Sequence, residues 1–139
     1  MSSLKDRTGF TLLEIIIVII IVGVLASLAL PRFFSTVEYS RSTEAMNALG
    51  IIRESVFQCG IVSNNVVGCD NFSALEIDDP GLVPGSHFSY AIAVTGANAF
   101  TVTATRNTVD GGTSGDLVEL SVSGTGTSRS GTTAFASIK

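Results

Sequence analysis

The 139-residue chain is poor in residues that do chemistry, with one histidine, two cysteines and charged side chains at only 14% of positions. Two cysteines and a distant His87 leave a tetrahedral zinc site without its third and fourth ligands. His87 has no cysteine or serine nucleophile in a recognisable motif around it, and a lone loop histidine reads as solvated. Neither a catalytic centre, a metal nor a cofactor is therefore expected. Basic side chains are scarce too, 8 against 12 acidic, and a net charge of −4 argues against nucleic acid as the main partner. Residues 120–139 hold no Asp or Glu. Residues 110–116 lack the further acids and bidentate Glu that calcium loops use, and read as a solvated hairpin loop. A conventional signal peptide is also missing, because residues 1–9 are short, polar and carry Lys5, Asp6 and Arg7.

What the chain does have is one long apolar run. Through residues 15–30 only Gly23 and Ser27 interrupt Ile, Val, Leu and Ala, and from Phe10 onward the segment holds a single charge, Glu14. About 20 apolar residues at 1.5 Å rise cross a ~30 Å hydrocarbon core, so the run reads as a membrane-spanning helix. A carboxylate inside that span costs roughly 2.5 to 3.5 kcal/mol on insertion scales and needs a partner or a reason. Lys5 and Arg7 before the span place the N-terminus in the cytoplasm and everything after Pro31 outside; Arg32 is a mild conflict that a long translocated domain overrides.

Gly9-Phe10-Thr11-Leu12-Leu13-Glu14, the apolar run and Pro31-Arg32 together resemble the N-terminal segment of type IV pilins and of the related pseudopilins of type II secretion. The resemblance covers roughly residues 5–35, with the Gly, Phe, Glu and Pro at the family's spacing. It implies cleavage between Gly9 and Phe10 by a prepilin peptidase, N-methylation of Phe10, and a need for Glu14 and Phe10 in assembly. It also implies a single-pass inner-membrane precursor that meets the assembly machinery and then polymerises with identical subunits. The product is an extracellular pilus, or fimbrium, serving adhesion, motility or DNA uptake; a pseudopilin of a type II secretion system is the alternative. Major pseudopilins are similar in carrying a C-terminal calcium site, which the acid-free residues 120–139 lack, and this favours a pilus. Without the leader the chain carries 6 basic against 11 acidic residues, a net −5.

The expected layout is a leader at 1–9, a transmembrane and assembly helix at 10–31, and one globular domain at 32–139. Within that domain Phe34, Val37, Ala45, Ala48, Ile52 and Val56 recur at three- and four-residue intervals, with Ser35, Ser42, Asn47, Arg53 and Glu54 largely opposite, so 32–57 reads as an amphipathic helix. Pro31 should kink rather than end the helix, which would span about 70 Å from Phe10 to Val56. Arg41 between Glu38 and Glu44 reads as a surface ladder, with a contact to a neighbouring subunit as the other reading. Gly50 suggests close packing against a sheet.

Residues 58–86 read as an irregular connector with one short helical turn near 73–77. Outside the cytoplasm its two cysteines, Cys59 and Cys69, favour a disulfide over free thiols, worth roughly 3 kcal/mol in the chain-entropy model. Residues 87–139 read as a sheet. Alternation predicts strands through Phe88–Val94, Phe100–Ala104 and Val118–Val122, the first two paired antiparallel across Gly96-Ala97-Asn98, and a fourth near Ala134, Phe135 and Ile138. The fold class is α+β, a long helix covering a small antiparallel sheet of three to four strands. Asn71-Phe72-Ser73 fits a glycosylation sequon, and Phe33, Phe34, Tyr39 and Phe57 are read as packing residues rather than a conducting path.

Overall fold

The computed structural model describes residues 10–124 and 126–138. The chain forms two compact units, one up to Thr36 and one from Val37 onward. A single helix, α1 (Leu12–Ser63), contributes to both.

In the first unit α1 starts where Thr11 caps it: the Thr11 hydroxyl accepts the Glu14 N–H at 3.3 Å and the Thr11 carbonyl accepts the same N–H at 3.1 Å. A threonine cap with an acid three residues on is the pattern that satisfies the orphan donors of a first turn. Beyond it the Ile, Val and Leu side chains are all exposed, from 40% for Ile16 to 78% for Leu12. The polar interruption is neutralised internally, since the Ser27 hydroxyl donates to the Val24 carbonyl at 2.7 Å. Pro31 lies within the helix, and α1 continues through it. This helix is long and apolar enough to cross a membrane.

In the second unit α1 buries Ser42, Ala45, Ala48, Leu49, Ile52 and Val56. Their three- and four-residue spacing makes one stripe. That stripe shares a core with a four-stranded antiparallel sheet in the order β1-β2-β3-β4, built from β1 (Phe88–Gly96), β2 (Ala99–Arg106), β3 (Leu117–Ser123) and β4 (Gly126–Gly131). Period-two alternation turns Phe88 and Tyr90, then Phe100, Val102 and Ala104, then Val118, Leu120 and Val122 into the core. The register pairs Ile92 with Val102 and Val102 with Leu120, so the apolar positions meet across the strands. Phe57 stacks edge-on against Phe100 with ring centroids 5.5 Å apart. The α+β class and the helix-on-sheet architecture agree with the sequence reading.

Several details differ. The helix runs on past Phe57 to Ser63 and stops where Asn64 takes a left-handed φ of 63°, a common way to end a helix. Gly60 is tolerated inside it because Val66 packs there: a Cβ at Gly60 would lie 2.8 Å from Val66 Cγ1. Gly50, by contrast, faces open space and marks no close approach. Ser42, placed on the polar side by the sequence, is buried with its hydroxyl donated to the Tyr39 carbonyl, while Phe34 is 62% exposed. The fourth strand forms from Gly126–Gly131 rather than around Phe135. Phe135 sits in a 3-10 turn (Thr133–Phe135) and plugs the core against Phe88, 5.7 Å between ring centroids.

Candidate functional site

The expected cleavage site falls at the start of the described chain. Phe10 is 79% exposed; Gly9, the residue before it, lies outside the described residues. Glu14 occupies the first turn of α1, where the unsatisfied N–H groups favour a negative charge. Among the described residues no cation lies against its exposed carboxylate. Thr11-Leu12-Leu13-Glu14 carries the signal for this cap, a threonine with an acid three residues on.

Cys59 and Cys69 are joined, their Cα atoms 6.1 Å apart, and Cys69 is buried. The bridge ties the last turns of α1 to the connector, where Val66 and Leu75 also enter the core. Loss of either cysteine is expected to lower stability by about 2–4 kcal/mol and to speed amide exchange through residues 60–75. Alkylation with and without reductant checks the bridge; labelling of both thiols without reductant would contradict it.

The densest polar cluster joins α1 to the β1 and β2 ends of the sheet. Arg106 is 1% exposed and all five of its N–H donors are used. Nε donates to Glu38 Oε2 at 3.0 Å, Nη2 to Glu38 Oε1 at 3.1 Å and to the Val109 carbonyl at 2.9 Å, and Nη1 to the carbonyls of His87 and Asn107. This bidentate fork is the geometry in which a buried ion pair recovers its desolvation cost. The Arg106 hydrogen bonds, aided by the charges of Arg106 and Arg41, hold the Glu38 carboxyl below its ordinary range against the opposing effect of burial. Gly112 is required beside it, since a Cβ there would fall 2.2 Å from Arg106 Cζ.

The rest of the cluster corrects the ladder reading. Arg41 does bond Glu38, at 2.9 Å, but Glu44 turns instead to His87, accepting from its backbone N–H at 3.0 Å and lying 2.7 Å from Nδ1. His87 is thus no solvated bystander: its Nε2 is 3.0 Å from Asp110 Oδ2. The 110–116 loop is likewise only partly solvated, because Asp116 is 8% exposed and its carbonyl accepts the Arg106 N–H at 2.7 Å. The signal for Arg106 was present in the strand parity, since it follows Phe100, Val102 and Ala104 on the inward side of β2. Asn71 of the sequon uses its side-chain oxygen to cap the Ala74 N–H at 2.8 Å. Phe33 and Phe34 contact each other edge-on, and Phe57 belongs to the core contacts.

A helix with an exposed apolar N-terminal half and a lower half seated on a small antiparallel meander defines a pilin-like α+β fold. Residues 4–30 match the prokaryotic N-terminal methylation motif. The chain is 27% identical over 122 residues to a type IV major fimbrial protein, FimA, of Dichelobacter nodosus, covering 77% of this chain and 75% of that protein. It is 39% identical over 72 residues to a probable minor fimbrial protein of the same organism, covering 48% of this chain and 45% of that one. Over 44 residues it is 48% identical to the fimbrial protein EcpC of Eikenella corrodens, 32% of this chain and 29% of that protein. No solved structure matches it significantly. Motif and fimbrial relatives together make the chain similar to type IV pilins.

Proposed function

We propose that the chain is a structural subunit of a type IV pilus, made as a single-pass precursor with its N-terminus in the cytoplasm. Prepilin peptidase cuts between Gly9 and Phe10, the new Phe10 amine is methylated, and the 10–31 helix holds the subunit in the inner membrane until assembly machinery extracts it. The Pro31 kink and the division into a 10–31 assembly helix and a 32–139 globular domain belong to the same reading. The observation that carries it is the exposed apolar surface of α1 before Pro31, broken by one carboxylate, in a segment that matches the methylation motif. Such a surface is stable only in lipid or against other apolar helices, and identical helices supply that partner in a filament. The fimbrial relatives favour a pilus over a pseudopilus. Mass spectrometry of sheared filaments tests the processing. The expected mature chain begins at N-methyl-Phe10, and a chain still beginning at Met1 or starting well inside the apolar run would contradict the reading.

A further inference from the structure

His87, the single histidine of the chain, stands between two carboxylates that come from different elements. On one side is Glu44 of α1, 2.7 Å from Nδ1; on the other is Asp110 of the β2–β3 loop, 3.0 Å from Nε2. Behind them stand Arg41, whose Nη2 is 3.6 Å from Asp110 Oδ2, and the Glu38–Arg106 pair, whose Arg106 Nη1 donates to the His87 carbonyl. Tyr90 of β1 lies in the field of Glu44 and stays neutral, its phenol pushed up by burial.

We propose that His87 is a proton-controlled latch that fastens the 107–116 loop to the helix through Glu44 and Asp110. An imidazolium donates from both ring nitrogens and satisfies both carboxylates, whereas a neutral imidazole has one donor for two acceptors. Glu44 keeps its hold in either state, because it also accepts the His87 backbone N–H at 3.0 Å. The neutral ring therefore keeps its proton on Nδ1 and turns a bare Nε2 lone pair toward Asp110. Among the described residues Arg41 then holds Asp110, its Nη1 3.4 Å from the backbone carbonyl and its Nη2 3.6 Å from Oδ2. The loop also carries a conformational load at that residue, since Asp110 has φ 53° and ψ 37°, a left-handed conformation uncommon outside glycine. Asp110 and Glu38 are both held below their ordinary carboxylate range and stay ionised through neutral pH.

The latch is closed when the imidazole is protonated and open when the ring is neutral. Hydrogen exchange of the full chain in detergent micelles, compared near about pH 5 and pH 8 after correction for intrinsic exchange, reads it directly. Protection of residues 107–113 is expected to fall about tenfold at the higher pH, the loss of one charge-assisted hydrogen bond, while β1–β3 core amides keep theirs. His87→Gln should give a pH-independent loop. Asp110→Asn should hold the loop at both values, because its amide donates to a bare Nε2 or accepts from a protonated one and asparagine tolerates the left-handed backbone. Equal protection of 107–113 at the two pH values in the unmodified chain would overturn the latch, as would an unchanged pH dependence in His87→Gln.

Discussion

Glu14→Ala and Glu14→Gln subunits, expressed as the sole pilin, are expected to be cleaved and inserted normally and yet to form few or no filaments. In the proposed assembly, leaving the bilayer would expose the 10–31 helix, and the gain from burying it among identical helices would drive polymerisation. Within such a bundle an unpaired carboxylate would carry a penalty of several kcal/mol, which a positive Phe10 amine from an adjacent subunit would offset. Glu14 has no cation against it among the described residues, so its partner is sought in another copy. Loss of the first-turn charge alone would weaken the helix start by only about 0.3–1 kcal/mol, too little to abolish assembly. Glu14→Gln keeps size and hydrogen-bonding capacity while removing the charge, so its comparison with the native chain isolates the charge. Mixed expression with the native chain should be more permissive, because a defective subunit is held by neighbours whose own pairs are intact. Abundant normal filaments from Glu14→Ala would sink the charge-pairing mechanism.

Arg106→Met should be the most damaging single change in the globular domain. Methionine occupies a similar volume but takes two donors from the Glu38 carboxylate, which keeps Arg41, and one from each of the carbonyls of His87, Asn107 and Val109. Breaking a buried, hydrogen-bonded pair from one side costs about 3–5 kcal/mol, and hydrogen exchange of the β2 and β3 amides would report it. The pair also sets an acid dependence. Because the folded Glu38 carboxyl lies below its unfolded value, its stabilisation is fully present above the ordinary carboxylate range and is lost as pH falls through the folded value. Arg106→Met should remove that component of acid sensitivity along with the stability. Glu38→Leu combined with Arg106→Met should recover part of the loss, since two apolar groups leave no orphaned charge. A change below about 1 kcal/mol in Arg106→Met would show that the pair is only a surface contact.

The parts of the fold that were legible in the sequence are those written by repetition. The apolar run, the three- and four-residue stripe through Ala45, Ala48, Ile52 and Val56, and the alternation in β1, β2 and β3 each repeat a period that a backbone geometry imposes. β4 carries no such pattern. Gly126–Gly131 is Gly-Thr-Ser-Arg-Ser-Gly, and it becomes a strand by pairing with β3, Leu120 opposite Arg129, rather than by burying anything of its own. Its exposed edge bears Arg129, the sort of charge that discourages pairing with another chain. α1 runs on to Ser63 where the sequence predicts a connector from residue 58; the disulfide and the packing of Val66 on Gly60 tie these last turns to the residues that follow, which local propensity does not show. His87 and Arg106 illustrate the same limit. Each was a single polar residue whose partners, Glu44 and Glu38, lie far away in the chain, so no local window contained the pair.

Cryo-electron microscopy of filaments built from this chain examines the proposed Glu14–Phe10 contact directly. The expected map has the 10–31 helices bundled at the filament axis, the 32–139 domains outside, and the Glu14 carboxylate within about 4 Å of the Phe10 amine of an adjacent subunit. A filament in which these helices lie apart from one another, or in which Glu14 faces solvent with the Phe10 amine elsewhere, would contradict it.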